Sequence, residues 1–336
     1  MLSTKNINSG FETQALNQIE NYKRALRVVK GRKDGIITSL TTPWKKFNDE
    51  GINGIDWGSF VVFGARSGVG KTMAKDQLVR EAYRLNQNTD IEVVEFQFEM
   101  PGDKHALRQL VGTTGIDYNI LNSKDQPLND ETYRKLEELV NEKLANRKMP
   151  LVIDVPLGVQ QMKEEMDYYS RVVFKDKKVI YTLDHSLLVR RKPKQNERDM
   201  LIELSLMITE MKNKYADRFI FILLSQLNRN ILDPSRNENG KIGNYINDSD
   251  IAGSDSIMQA ADIVVGMNRP GKFNITTYGV AKHLITSQNT VVWHMIKTRY
   301  SEPGNMLWFE IDGSTMSLVE VEEPDVKPNV NYNNAF

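Results

Sequence analysis

The run Gly64-Ala65-Arg66-Ser67-Gly68-Val69-Gly70-Lys71-Thr72 reads as a phosphate-binding loop of the G-x-x-x-x-G-K-[ST] kind. Its chemistry follows from the residue types. Glycines let the backbone curl, so that the N–H groups of Ser67, Gly68, Val69, Gly70, Lys71 and Thr72 can face one anion. A helix starting at the end of the loop adds its positive pole. Lys71 supplies a point charge to the β- and γ-phosphates, and the Thr72 hydroxyl suits Mg²⁺. The expected ligand is a nucleoside triphosphate, ATP or another, with Mg²⁺.

Turnover of such a ligand needs an acid beside the metal and a group that handles water. Asp184 follows the apolar run 179–183, where an acid on the metal side is expected. Glu99 closes Glu95-Phe96-Gln97-Phe98-Glu99-Met100. A carboxylate there can take a proton from water beside the γ-phosphate, or it is an exposed strand-end acid. Gln226, in Ser225-Gln226-Leu227-Asn228-Arg229, can sense the γ-phosphate or cap a loop. His185 is a poor metal ligand, because the chain has four histidines and none pairs at ligand spacing.

These groups need a scaffold, and the pattern supplies one. Buried strands are expected at 59–63, 91–98, 150–154, 179–183, 219–224, 261–267 and 290–296. Helices are expected at 72–86, 103–112, 130–147, 158–173 and 197–215. The alternation predicts an α/β fold with a mostly parallel sheet and helices on both faces, the strand carboxyl edge holding the site. Before it, Phe11, Ala15, Leu16, Ile19, Tyr22, Leu26 and Val29 put a greasy stripe on a helix over 10–30. That stripe packs either on its own domain or on a neighbouring copy. Three segments are expected: a linker helix within 1–35, a domain over 36–320 and a flexible acidic, Asn-rich tail over 321–336.

The composition narrows the class. The chain has 336 residues, with 44 basic against 44 acidic, so no wholly basic nucleic-acid coat is present. It has no cysteine, which excludes disulfides and thiolate metal sites. Its longest pure apolar run, Phe219 to Leu224, is too short for a bilayer, and no signal core follows the first methionine. A soluble, cytoplasmic protein without a membrane partner is expected. Basic charge is local: Arg190, Arg191, Lys192, Lys194 and Arg198 stand against Glu197 in a Pro-containing stretch. Such a loop tracks nucleic-acid phosphates or is a solvated turn. The polar stretch from Asp233 to Ser256 is a second candidate, with Lys241 as its phosphate contact.

Taken in order, these residues resemble the DnaB-like replicative helicases, whose motor is a RecA-type P-loop ATPase. The resemblance runs from about 36 to 320. It rests on the phosphate loop, Phe98-Glu99-Met100, Leu183-Asp184-His185, Ser225-Gln226-Leu227-Asn228-Arg229, Ala252-Gly253-Ser254 with Gln259 and Asp262, and Lys297-Thr298-Arg299-Tyr300. It implies that Glu99 is the catalytic carboxylate, that Asp184 serves Mg²⁺ and that Gln226 links the γ-phosphate to DNA-facing loops. Lys297 and Arg299 become fingers reaching a neighbour's nucleotide. The implied assembly is a ring, a hexamer, on single-stranded DNA moving 5′ to 3′, with primase, loader or polymerase acting in trans. Fewer than forty residues precede the motor, and His185 replaces the usual tyrosine, which points to a phage-type variant. The alternatives are a recombinase-like or regulatory RecA-fold ATPase that does not unwind, and a non-catalytic ring that uses nucleotide only to assemble.

Overall fold

The computed structural model describes residues 4–326, apart from 52, 126–127, 147, 234–235, 237–244 and 252–253. The chain forms two compact units, residues 1–39 and 40–336. In the first unit, helix α1 spans Thr4–Lys33. The sequence suggests a break from Lys30 onward, yet the helix runs on through Gly31 to Lys33 before the chain turns. Its Ile19, Tyr22, Leu26 and Val29 side chains are exposed.

The second unit is built on a nine-stranded sheet in the order β11-β10-β9-β6-β1-β5-β4-β2-β3. The strands are β1 (Ser59–Ala65), β2 (Ile91–Gln97), β3 (Leu151–Ile153), β4 (Lys178–Asp184), β5 (Phe219–Gln226), β6 (Ile263–Asn268), β9 (Thr290–Thr298), β10 (Met306–Asp312) and β11 (Ser317–Glu320). The six from β6 to β3 pair in parallel. The three from β9 to β11 continue the sheet antiparallel. Strands β7 (Thr277–Tyr278) and β8 (His283–Leu284) form a separate ribbon. Between β2 and β3 the chain passes through α4 (Gly102–Thr114), α5 (Tyr118–Asn122) and α6 (Asp130–Asn146).

The parallel strands read as continuous apolar runs because both of their faces are covered. Along β1, Phe60 and Val62 enter one core with Met200, Leu204 and Ile208 of helix α8 (Glu197–Lys214) and Met162 and Met166 of α7 (Val159–Tyr168). The alternate residues Val61, Phe63 and Ala65 enter the other core with Ala74, Leu78 and Ala82 of α3 (Lys71–Leu85). This two-residue alternation is the strand's own pleat. On the α3 side, Trp293 sits between Trp44 at 4.6 Å and Phe309 at 4.5 Å, ring centre to ring centre. These rings tie α2 (Lys45–Asp49) to the antiparallel strands.

The strands over 306–312 and 317–320 are absent from the sequence-based expectation, although Met306-Leu307-Trp308-Phe309 is an apolar run and a turn at Gly313 follows it. Near the carboxyl end, Leu284 N–H donates to Asp325 O at 2.8 Å and Val326 bridges His283, so residues 325–326 line up against β8. Residues 327–336 of the expected tail lie outside those described. Among the described residues no helix is long and apolar enough to cross a membrane.

Candidate nucleotide site

Four parallel strands end beside one another, and each delivers a polar group to the same edge. β1 opens into the phosphate loop. The sequence pattern takes Gly64 as its first glycine, but Gly64 lies inside β1, opposite Ser225 and Gly266. Four residues separate Ala65 from Gly70, so Ala65 is the first position of the loop. Gly70 precedes α3 with φ of 120°, a value that a side chain would oppose. The loop therefore delivers its amides to the start of a 15-residue helix. Val69 is buried in the core beneath and serves through its backbone.

Ser67, Gly68, Gly70, Lys71, Thr72, Glu99, Arg108, His185, Gln226 and Arg269 line a cleft of about 310 Å³. Lys71 Nζ donates to Ala65 O at 2.8 Å, folded back over the loop. Burial pulls its pKa down to about 8, against Asp184 and Glu99, which act to raise it. Thr72 Oγ1 donates to Asp184 Oδ2 at 2.9 Å. Asp184 ends β4 and is buried, and its other oxygen, Oδ1, has no hydrogen-bond partner. A buried carboxylate oxygen left open beside a hydroxyl suits a hard cation such as Mg²⁺, so the residues present fit that ion. Glu99 follows β2, is exposed and faces the cleft. Gln226 ends β5 and is half-buried at the same edge.

Lys297 and Arg299 are elsewhere. β9 runs antiparallel to β6, with Val264 opposite Lys297 and Ile263 opposite Thr298, which puts both cations at the amino edge of the parallel strands. Arg299 Nε pairs with Asp262 Oδ1 at 2.7 Å, and Asp262 Oδ2 accepts from Phe60 N–H at 2.8 Å and Lys212 Nζ at 2.8 Å. The Arg299 side chain is still 54% exposed. Lys297 Nζ donates to Met258 O, and burial followed by repulsion from Arg299 lowers its pKa. From Phe60, level with Asp262, to Ala65, beneath Lys71, is five residues of strand, about 17 Å. Arg299 thus cannot reach the cleft of its own chain.

The basic loop after β4 is ordered by its backbone, since Arg190 N–H donates to Leu157 O at 2.9 Å. Arg190, Arg191, Lys192 and Lys194 are exposed, and Lys192 is paired with Glu203 of α8 at 2.6 Å. That hydrogen bond holds the Glu203 carboxyl below its usual range. Lys241 lies outside the described residues. The described flanks of its loop are joined by a two-pronged ion pair from Arg236 to Asp250, at 2.6 and 3.0 Å.

Two cleft residues, Arg108 and Arg269, escape the sequence reading. Arg108 comes from α4, and its Nε is buried without a hydrogen-bond partner. Arg269 follows β6, and the strand-edge logic that finds Glu99 applies equally to it. A separate buried cluster, Asp76, Glu95 and His105, is close enough to hold a metal ion. The Lys75 ammonium already lies among them, 2.7 Å from Asp76 and 2.5 Å from Glu95. Burial opposes ionisation of Asp76, yet Lys75 overrides it and leaves the pKa lowered to about 2. The Lys75 ammonium thus occupies the place a metal ion would take, and Glu95 Oε1 is left without a hydrogen-bond partner.

The family model for the DnaB-like helicase C terminal domain matches residues 39–306. One solved structure, described as an ATPase domain, superposes with a TM-score of 0.69 at 19% identity, covering 89% of this chain and 98% of that one. "The Structure Of A DnaB-Like Replicative Helicase And Its Interactions With Primase" gives 0.70 at 18%, covering 89% of this chain and 66% of that one. At these identities the likeness is one of fold. The chain spans about two thirds of the length of that second protein. No curated protein matches it in sequence.

Proposed function

Because this chain belongs to the DnaB-like helicase C-terminal domain family, and is an NTP-hydrolysing helicase of that replicative kind, we propose that it works as a ring, a hexamer, on single-stranded DNA. Each nucleotide is then held by one protomer and completed by the next. Lys71 and the loop amides bind the phosphates, and Thr72 and Asp184 would hold Mg²⁺, which would neutralise charge on the phosphate oxygens. Glu99 takes the proton of the attacking water as the bond between the γ-phosphorus and the bridging oxygen breaks. Lys297 and Arg299 of the adjacent protomer stabilise the charge that develops. Gln226 passes loss of the γ-phosphate to the loops that carry Arg190, Arg191, Lys194 and Lys241, and so moves DNA in the 5′ to 3′ direction.

The observation that carries this reading is the separation of charges across the sheet. The acids and the phosphate loop share one edge, while the half-buried Lys297 and the exposed Arg299 sit at the other, out of reach of their own cleft. Such a head-to-tail arrangement supports a ring when the rotation between neighbours closes, and an open filament when it does not. The exposed Tyr22, Leu26 and Val29 stripe of α1 fits docking on a neighbouring copy. The relative solved with primase makes a primase the first partner to try, with a loader or polymerase after it. The setting is the cytoplasm, that of a host if the chain is phage-encoded.

The test is a forked-duplex unwinding assay run beside native mass measurement, each with and without ATP and Mg²⁺. The expected result is a six-fold mass and unwinding that needs a 5′ single-stranded arm. Nucleotide turnover stimulated by single-stranded DNA without unwinding would instead support a RecA-fold ATPase of recombination type.

A further inference from the structure

The short turn Pro270–Phe273 follows β6 at the carboxyl edge of the sheet. β6 lies beside β1 in parallel register, with Met267 opposite Ala65, so the turn rises next to the phosphate loop. Its base is fixed. Arg269 Nε donates to Gln288 O at 2.6 Å and its guanidinium also reaches Asn289 Oδ1 at 2.8 Å. Ile275 N–H donates to Pro270 O at 3.1 Å, and Phe273 packs on the core beneath α3.

From that base the Lys272 side chain crosses the loop. Its Nζ donates to Ser67 O at 3.0 Å. It lies so near Gly68 that a β-carbon there would sit 2.2 Å from it, at a φ of +72°. Ser67 and Gly68 are exposed at this point and both line the cleft, so the ammonium is bonded to a residue of the cleft wall. An ammonium has three hydrogens, and the Ser67 carbonyl uses one. Among the described residues no carboxylate forms an ion pair with Lys272. Lys71 bonds the same loop at Ala65 O, two residues before the carbonyl that Lys272 takes.

We propose that Lys272 is a second phosphate-binding cation of the nucleotide site, supplied by the same protomer that supplies Lys71. This rests on the reading that a nucleoside triphosphate occupies the cleft. The two ammonium groups reach the phosphate chain from two points of the loop, Ala65 and Ser67. The contribution scales with phosphate charge and not with the base, because a flexible ammonium recognises anions as a point charge.

The test compares the wild-type chain with Lys272→Met, Lys272→Gln and Lys272→Arg by calorimetric titration with Mg-ATP, Mg-ADP and AMP at two salt concentrations. The expected result is an ATP affinity about tenfold weaker for the Met and Gln variants, as for loss of one charge-assisted contact. The loss shrinks from ATP to AMP, Arg restores most of it, and salt weakens ATP binding less in the two neutral variants. Unfolding midpoints stay at the wild-type value. Gln can still donate to the Ser67 carbonyl, so wild-type affinity in that variant would reduce Lys272 to a tether for the loop and overturn the proposal. Unchanged ATP affinity in the Met variant, beside a wild type that binds, would overturn it too. A wild-type chain that binds no ATP would overturn both the proposal and the reading beneath it.

Discussion

Mixing two inactive variants gives the sharpest measure of whether catalysis is shared between protomers. Lys71→Ala removes the ammonium that folds over the phosphate loop. Arg299→Ala removes a guanidinium that lies about 17 Å along β1 from that point, beyond the reach of its own side chain. Each variant alone should hydrolyse ATP slowly; for Arg299→Ala the loss expected of a trans arginine is about 10³- to 10⁵-fold. In an equal mixture that exchanges subunits freely, a site is complete when an Arg299→Ala protomer supplies the loop and a Lys71→Ala protomer supplies the guanidinium. With head-to-tail contacts and random assembly, about a quarter of sites meet that condition. Hydrolysis should therefore climb from near zero to about a quarter of the wild-type rate. The assay is phosphate release on single-stranded DNA after co-incubation, with Lys71→Ala/Arg299→Ala double-variant protein as the dilution control. If both groups acted within one chain, no mixed site would be complete. A mixture that stays as slow as its components, while mass measurement shows mixed rings, refutes the argument.

Other expectations concern the cleft and the core. Lys71 has its pKa lowered to about 8 in the nucleotide-free chain. A triphosphate beside it favours the charged form, so the pKa rises on binding and a proton is taken up between about pH 8 and the bound value. Calorimetry of ATP binding in two buffers of different ionisation enthalpy should show uptake at pH 8 that fades towards pH 6, where Lys71 is already charged; no buffer dependence at pH 8 would contradict it. Arg108→Ala should weaken ATP binding about tenfold without altering the unfolding midpoint, because it removes a cleft guanidinium whose Nε is unpartnered; titration with Mg-ATP decides it. Trp293→Ala should cost about 3–5 kcal/mol in urea unfolding, since it empties a fully buried site between Trp44, Phe47, Phe63 and Phe309.

The parts of the site legible in the sequence are those in which one short run carries both the chemistry and its placement. The loop at 64–72 names its own strand and helix, and Asp184 follows the apolar run 179–183, whereas the run before Glu99 is broken by Glu92, Glu95 and Gln97 and leaves that acid open between a cleft role and an exposed strand end. Arg269 and Lys272 are placed instead by β6 lying beside β1 across some two hundred residues of chain, and nothing local announces that neighbour. The same holds for β10 and β11, whose alternation is partial because β11 closes the sheet with its Val319 exposed. The basic loop shows the opposite failure. Composition makes Arg190, Arg191, Lys192 and Lys194 look alike, but the turn into α8 brings Glu203 to Lys192 and leaves the others in solvent at the sheet edge.

Asp262 links groups that the sequence keeps far apart. One carboxylate grips an amide near the start of β1, a lysine of α8 and the half-exposed Arg299. The opposite end of that strand is the start of the phosphate loop. β1 is seven residues long and buried throughout, so it behaves as a stiff strut with the phosphate loop at its head and the Asp262–Arg299 pair at its foot. If neighbouring protomers meet head to foot, the strut spans two pockets, and a tilt imposed by filling one would be delivered to the other without any hinge between them.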